Sequence, residues 1–161
     1  MSSIFLDRNT PIETTSRNLP HWHQDGKLQF VTFHLADSLP QSILTELQQE
    51  KELWLKTHPT PWTEEETKEY HYRYSRFVDR WLDAVHGSCL LSQPAIADIV
   101  ENKLNHFNGV RYLLHAYVVM PNHVHVLVET EESEKLTAIM HSWKSFTAHA
   151  INKLSGTNGG V

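Results

Sequence analysis

Valine alternates with histidine in "YVVMPNHVHVLVE", Tyr117 to Glu129, and no other stretch restricts the fold so tightly. Residues i and i+2 of a strand share a face, so His123 and His125 stand together while Val124, Val126 and Val128 point the opposite way. One face is expected in a core and the other is expected to form a site. Pro121-Asn122 marks a turn, and the apolar run from Arg111 to Met120 predicts a strand that pairs with His123 to Glu129. Proline excludes a type I′ turn there, which leaves the register of the hairpin open.

Around this hairpin the chain reads as a series of strand and helix signals. "LQFVTFHLA", Leu28 to Ala36, follows the turn-like Asp25-Gly26 and suits a well-buried first strand. Ser38 to Lys56 begins with a cap candidate and an early proline, and predicts a helix broken by "THPTP". A second helix is predicted from about Thr63 to Val85, with three glutamates at its positive end and an apolar stripe of Tyr70, Tyr74, Phe77 and Trp81. Ser92 to Phe107 predicts a third, stopped by Asn108-Gly109, and the stretch from about Glu134 to Leu154 a last one, stopped by Gly156. The order is α+β: a ferredoxin-like antiparallel sheet with helices on one face, a helical hairpin inserted after the first strand (about residues 38–90), and the closing strand missing. Residues 1–27 read as a mostly irregular N-terminal arm, 28–154 as the domain, and 155–161 as a flexible tail.

The 161 residues suffice for one domain of this kind, burying roughly two-thirds of the surface of the unfolded chain. No apolar run reaches the roughly 18 residues of a membrane span, and the N-terminus lacks the apolar core of a secretory signal. Cys89 is the single cysteine, so no internal disulfide forms and a reducing cytoplasm fits. A net charge of -5 is unfavourable to phosphate binding, so any nucleic-acid surface has to come from local clusters.

With 12 histidines in the chain, roughly one His-x-His is expected from random placement, and His21-Trp22-His23 is a second instance. Two exposed strand residues explain the spacing of His123 and His125 as readily as a metal site does. What favours the metal is rigidity: a strand anchored by Val124, Val126 and Val128 holds both imidazoles on one face and leaves coordination positions open.

"AYVVMPNHVHVLVE" followed by "HSWKSFTAHAINK", together with "RNLPHW", "FVTFHLADSLP" and "GSCLLSQPAIADIVENKLNHFNGVRY", resembles the REP-associated tyrosine transposases. These are a branch of the single-tyrosine HUH, or insertion-sequence-200-like, transposase superfamily. The resemblance spans most of the chain from Arg17 onward. It implies that His123 and His125 bind a divalent ion, Mg2+ or Mn2+, beside the scissile phosphate of single-stranded or hairpin DNA. It implies a tyrosine nucleophile on a later helix, with a polar residue four positions beyond it completing the metal site. Lys144 and Ser145, with His141, are implied DNA-phosphate contacts, a solvated helix face being the plain alternative. Arg17, His21, Trp22 and His23 mix cationic and aromatic groups suited to unpaired bases.

In the relatives, a tryptophan-containing strand and the helix bearing the tyrosine follow the position of Val161. A C-terminally shortened protein without its nucleophile helix is therefore expected, with the catalytic tyrosine beyond Val161. Tyr70 and Tyr74 read as packing residues, as do Tyr112 and Tyr117 in a core strand, and no tyrosine has an Asn or Gln four residues later. One reading is a transposase-type nuclease, completed by a C-terminal fragment in trans, by a further stretch of chain or in a homo-oligomer. The other is a non-catalytic remnant that binds single-stranded or hairpin DNA. A metallohydrolase unrelated to transposition would leave the long resemblance unexplained.

Overall fold

The computed structural model describes Phe5 and residues 13–16, 20–24 and 26–156, with the backbone alone for 13–16 and 20–23. The elements run β1 (Glu13–Ser16), β2 (Pro20–His23), β3 (Leu28–His34), α1 (Gln41–Thr57), α2 (Glu64–Asp83), α3 (Pro94–Asn105), β4 (Tyr112–Val119), β5 (His123–Thr130) and α4 (Leu136–Ser155), with a 3-10 turn at Leu90–Ser92. The main sheet has the order β3-β5-β4, antiparallel throughout, as expected for the first three strands of a ferredoxin-like unit. The expected α+β class is therefore observed.

β5 is the central strand, and its alternation sorts the domain into two sides. Val124, Val126 and Val128 are fully buried, packed with Val31 and Phe33 of β3 and with Ile96, Val100 and Leu104 of α3 and Ile139, Trp143 and Ile151 of α4. α3 and α4 thus cover one face of the sheet. Trp143 is the largest buried side chain there, and its indole N–H donates to the Tyr112 hydroxyl at 3.0 Å, which in turn donates to the Leu104 carbonyl at 2.7 Å. Both polar tips are thereby satisfied inside an apolar layer.

The register left open by the sequence is Val119↔Val124 and Tyr112↔Thr130, with an irregularity between Leu114 and Ala116 that shifts the pairing by one. A two-residue connection, Pro121-Asn122, is closed by the Met120 N–H to the His123 carbonyl at 2.8 Å. α2 begins as its sequence predicts: Thr63 accepts from the Glu66 amide while the Glu66 carboxylate accepts from the Thr63 amide, a reciprocal capping box. It ends earlier than expected, at Asp83, with Val85 at a left-handed φ of 57°. α4 stops at Gly156, φ 67°, as expected.

Within the N-terminal arm, residues 13–16 and 20–23 form a short antiparallel pair that the sequence reading did not include, β1–β2, Glu13↔His23 to Ser16↔Pro20, separate from the main sheet. Four-residue strands are too short for alternation to announce them.

The α1–α2 hairpin has its own small core of Leu47, Trp54, Tyr70 and Tyr74, apart from the main one. Its two ends are tied together at the base: the Asp37 carboxylate accepts from the Ser88 amide at 2.7 Å, and a side chain at Gly87, φ 90°, would meet the Asp37 carbonyl at 2.6 Å. Among the described residues, no helix is long and apolar enough to cross a membrane.

Two stability measurements probe this frame. Tyr112→Phe orphans the Trp143 N–H and the Leu104 carbonyl, and is expected to cost about 1–3 kcal/mol for each buried group left unsatisfied; an unchanged midpoint of thermal unfolding contradicts the packing described. Arg111 holds Glu134 in a two-pronged ion pair, Nε to Oε1 at 2.9 Å, and the guanidinium lowers the carboxyl below its ordinary range. A carboxyl depressed on folding stabilises above its unfolded pKa and loses that contribution as pH falls through the folded value. Wild-type should thus unfold at higher temperature than Glu134→Gln at pH 7 and at the same temperature near pH 3, and a constant gap refutes the pairing.

Candidate metal centre

The site lies on the face of the sheet opposite α3 and α4. His123 and His125 project there from β5, as their spacing requires, and their Nε2 atoms stand 3.0 Å apart. His125 is partly open, but His123 is fully buried, because the end of α2 closes over it. Desolvation holds the His123 ring below the usual imidazole range, the neighbouring His125 adds to that, and Asp83 pulls the other way. A neutral imidazole is the form that ligates a metal.

Hydrogen bonds on the outer nitrogens orient both rings. The Asn122 amide donates to the carbonyls of Leu82 and His86, each at 3.1 Å, so its oxygen is the atom that faces His123 Nδ1 at 2.8 Å. A carbonyl oxygen only accepts, so Nδ1 carries the hydrogen and His123 Nε2 presents its lone pair to the site. The hydrogen between the two rings then belongs to His125 Nε2, and His125 Nδ1 accepts from the Thr32 hydroxyl at 2.8 Å. A hydroxyl can reverse that bond. With Thr32 accepting, His125 carries its hydrogen on Nδ1 and offers a second lone pair beside the first.

A third group comes from α2. Asp83 approaches His123 Nε2 to 4.0 Å, and one ligand atom from each of Asp83, His123 and His125 lies within 4.8 Å of the others. Two ligands at about 2.1 Å from one ion and at right angles stand about 3.0 Å apart, the separation the two Nε2 atoms show. Two imidazoles and a carboxylate, with one partner exposed to solvent, fit a divalent ion that keeps open positions. One turn back on α2, desolvation raises the Asp79 carboxyl against the pull of His125.

Asp83 is the residue that sequence reasoning missed. The expected centre had two imidazoles and no third protein ligand within the chain. Forty residues separate Asp83 from His123, and only the packing of α2 against the strand ends brings them together. The available signal was the polar stripe Tyr72, Arg76, Asp79 and Asp83, on one face of a helix whose other face carries Tyr70, Tyr74 and Phe77.

The remaining expected contacts are not gathered here. Lys144 is exposed and Ser145 half-buried on α4, which packs on the far face of the sheet from His125. His141 is exposed on the same helix. Arg17 lies outside the described residues, while His21, Trp22 and His23 form β2, their side chains outside what is described. Phe30 corrects the expectation of a well-buried first strand: it lies on the open face, 66% exposed, and stacks on His125 with ring centroids 5.2 Å apart.

The five tyrosines are placed away from the centre. Tyr70 and Tyr74 pack in the α1–α2 core, Tyr112 is buried beneath the sheet, and the Tyr117 hydroxyl contacts Glu101 of α3 at 3.3 Å. Tyr72 is exposed and accepts from Arg76 at 3.1 Å, but eleven helical residues place it about 16 Å along the axis from Asp83.

No curated protein and no solved structure matches the chain. A family model described as "Transposase IS200 like" matches residues 70–157, a span that takes in Asp83, His123 and His125. That match covers more than half of the sequence, and with a histidine pair set on the central strand of an α+β sheet, the chain belongs to the IS200-like transposase family.

Proposed function

We propose that this chain binds single-stranded or hairpin DNA and holds one phosphate against a divalent ion, Mg2+ or Mn2+, carried by His123, His125 and Asp83. Within the family, the resemblance to the REP-associated tyrosine branch makes DNA transposition the process served, in a reducing cytoplasm that suits the lone Cys89. The observation that carries the reading is the convergence of two imidazole Nε2 atoms and one carboxylate on a strand whose other face is locked in the core.

When bound, the ion supplies charge neutralisation at the phosphate and at a departing oxygen. His123 and His125 hold it in the neutral form, with Asn122 and Thr32 orienting the rings. Asp83 supplies the oxygen ligand that hard ions such as magnesium prefer, and DNA phosphate oxygens fill the open positions. Phe30, stacked beside His125 and open to solvent, offers a ring on which an unpaired base can lie. Arg17, His21, Trp22 and His23 extend the DNA surface in this reading, whereas Lys144 and Ser145, on the helix behind the sheet, would meet DNA only away from the ion.

Covalent phosphotyrosine chemistry requires a tyrosine in line with the phosphate, and positioning supplies much of such catalysis. None of the five tyrosines is so placed. The nucleophile therefore comes from a second, different polypeptide or from further chain, and the residues described act as a DNA-binding module with a loaded ion. The placement of the tyrosines is what favours this second, non-catalytic role for the chain alone.

Titration of the chain with manganese should show tighter binding with a single-stranded hairpin present than without it, and His123→Ala with His125→Ala should abolish the difference. Phe30→Ala should weaken single-stranded DNA binding by about 5- to 150-fold, equivalent to about 1–3 kcal/mol for one stacked base, and affinity should fall as salt rises. Labelled hairpin DNA incubated with the chain and manganese should give no covalent adduct on a denaturing gel. Equal manganese affinity with and without DNA contradicts the site, and an adduct lost on mutating one of the five tyrosines contradicts the assignment of the nucleophile.

A further inference from the structure

Asn122 is fully buried and bonds to His123, to the end of α2 and to the stretch after β3 without being a ligand. Its side-chain oxygen accepts from His123 Nδ1, and its amide nitrogen caps the carbonyls of Leu82 and His86. Its backbone carbonyl accepts from the Leu35 amide at 3.0 Å and the Ser38 hydroxyl at 2.7 Å, which anchors the turn to the end of β3. The Leu82 and His86 carbonyls lie at and just beyond the end of α2, and although the Leu82 carbonyl also accepts from the Val85 amide at 3.0 Å, the Asn122 amide is the group that ties both to the turn before β5. Asp83 sits between them.

The α1–α2 hairpin is built around its own core, so the end of α2 is where it meets the sheet. Leu82 is fully buried there, and its carbonyl accepts from the Asn122 amide. We infer that Asn122 is a positioning residue with two linked tasks: it sets the His123 tautomer so that Nε2 faces the ion, and it latches the inserted hairpin so that Asp83 arrives as the third ligand. Both tasks use one amide in one orientation. Rotating it by half a turn would set its oxygen against two carbonyls and its nitrogen against His123 Nδ1, losing the tautomer and the latch together. The metal centre is complete only while the hairpin is docked. The inference rests on the metal site proposed above for its second task, whereas the tautomer is a property of the chain without an ion.

The test uses the full chain with 15N-labelled histidine at pH 8, free of metal, and reads the His123 ring by two-bond proton–nitrogen correlation. His123→Ala identifies its signals. Wild-type should show hydrogen on Nδ1. Asn122→Ala should lose that pattern and raise the manganese dissociation constant about 10- to 100-fold, the usual effect of removing an outer hydrogen bond from a ligating histidine. Asn122→Asp, nearly the same shape, separates the tasks: it still accepts from Nδ1 but cannot cap the two carbonyls, so the tautomer persists while manganese affinity falls and amide exchange at the end of α2 quickens. Ser38→Ala, which removes a bond from the same turn, should lower the unfolding temperature and change neither readout.

Wild-type hydrogen on Nε2 overturns the inference without any variant. So does an Asn122→Asp protein that binds manganese and protects the end of α2 as wild-type does. If wild-type binds no manganese, the metal reading fails, while loss of the Nδ1 pattern in Asn122→Ala and faster exchange at α2 in Asn122→Asp still support the latch.

Discussion

Everything in this domain depends on β5 being both central and two-sided. Paired with β3 and β4, it cannot shift by one residue without turning Val124, Val126 and Val128 out of the core and both histidines into it. The valines therefore hold the imidazoles in place as firmly as any hydrogen bond in the site. His123 opens β5 and His125 follows two residues in, and the pairing of both with β3, with α3 and α4 behind the sheet, holds that end of the strand.

The α1–α2 insertion has a different relation to the sheet. Its aromatic core of Trp54, Tyr70 and Tyr74 makes it self-supporting, and it contributes to the site only through the last turn of α2. Among the described residues, the ties between the two bodies include Asn122 on the carbonyls of Leu82 and His86 and Asp37 on the Ser88 amide. The Asn122 amide is fully buried and shared between two acceptors at the end of α2, so undocking would cost the free energy of leaving it unsatisfied. A ligand carried on such an element can be engaged or withdrawn by motion of a whole hairpin.

How far the sequence disclosed this varies with the range of the cause. The capping box at Thr63 and Glu66, the glycine stop at Gly156 and the valine alternation are local, and each is legible because a few neighbouring residues determine it. His123 and His125 were legible for the same reason. β1 and β2 were missed because four-residue strands leave no periodic trace. Asp83 and Asn122 were missed because their roles arise between elements far apart in sequence, where one helix end meets one turn. Lys144 and Ser145 suited a phosphate contact by type, yet the sheet separates α4 from the histidines.

Manganese-edge anomalous diffraction from crystals of the full chain soaked in manganese chloride tests the central claim, a three-ligand centre, most directly. One strong peak is expected at roughly 2.0–2.3 Å from His123 Nε2, His125 Nε2 and a carboxylate oxygen of Asp83. A peak held by the two histidines without Asp83, or no peak there at saturating manganese, would contradict it.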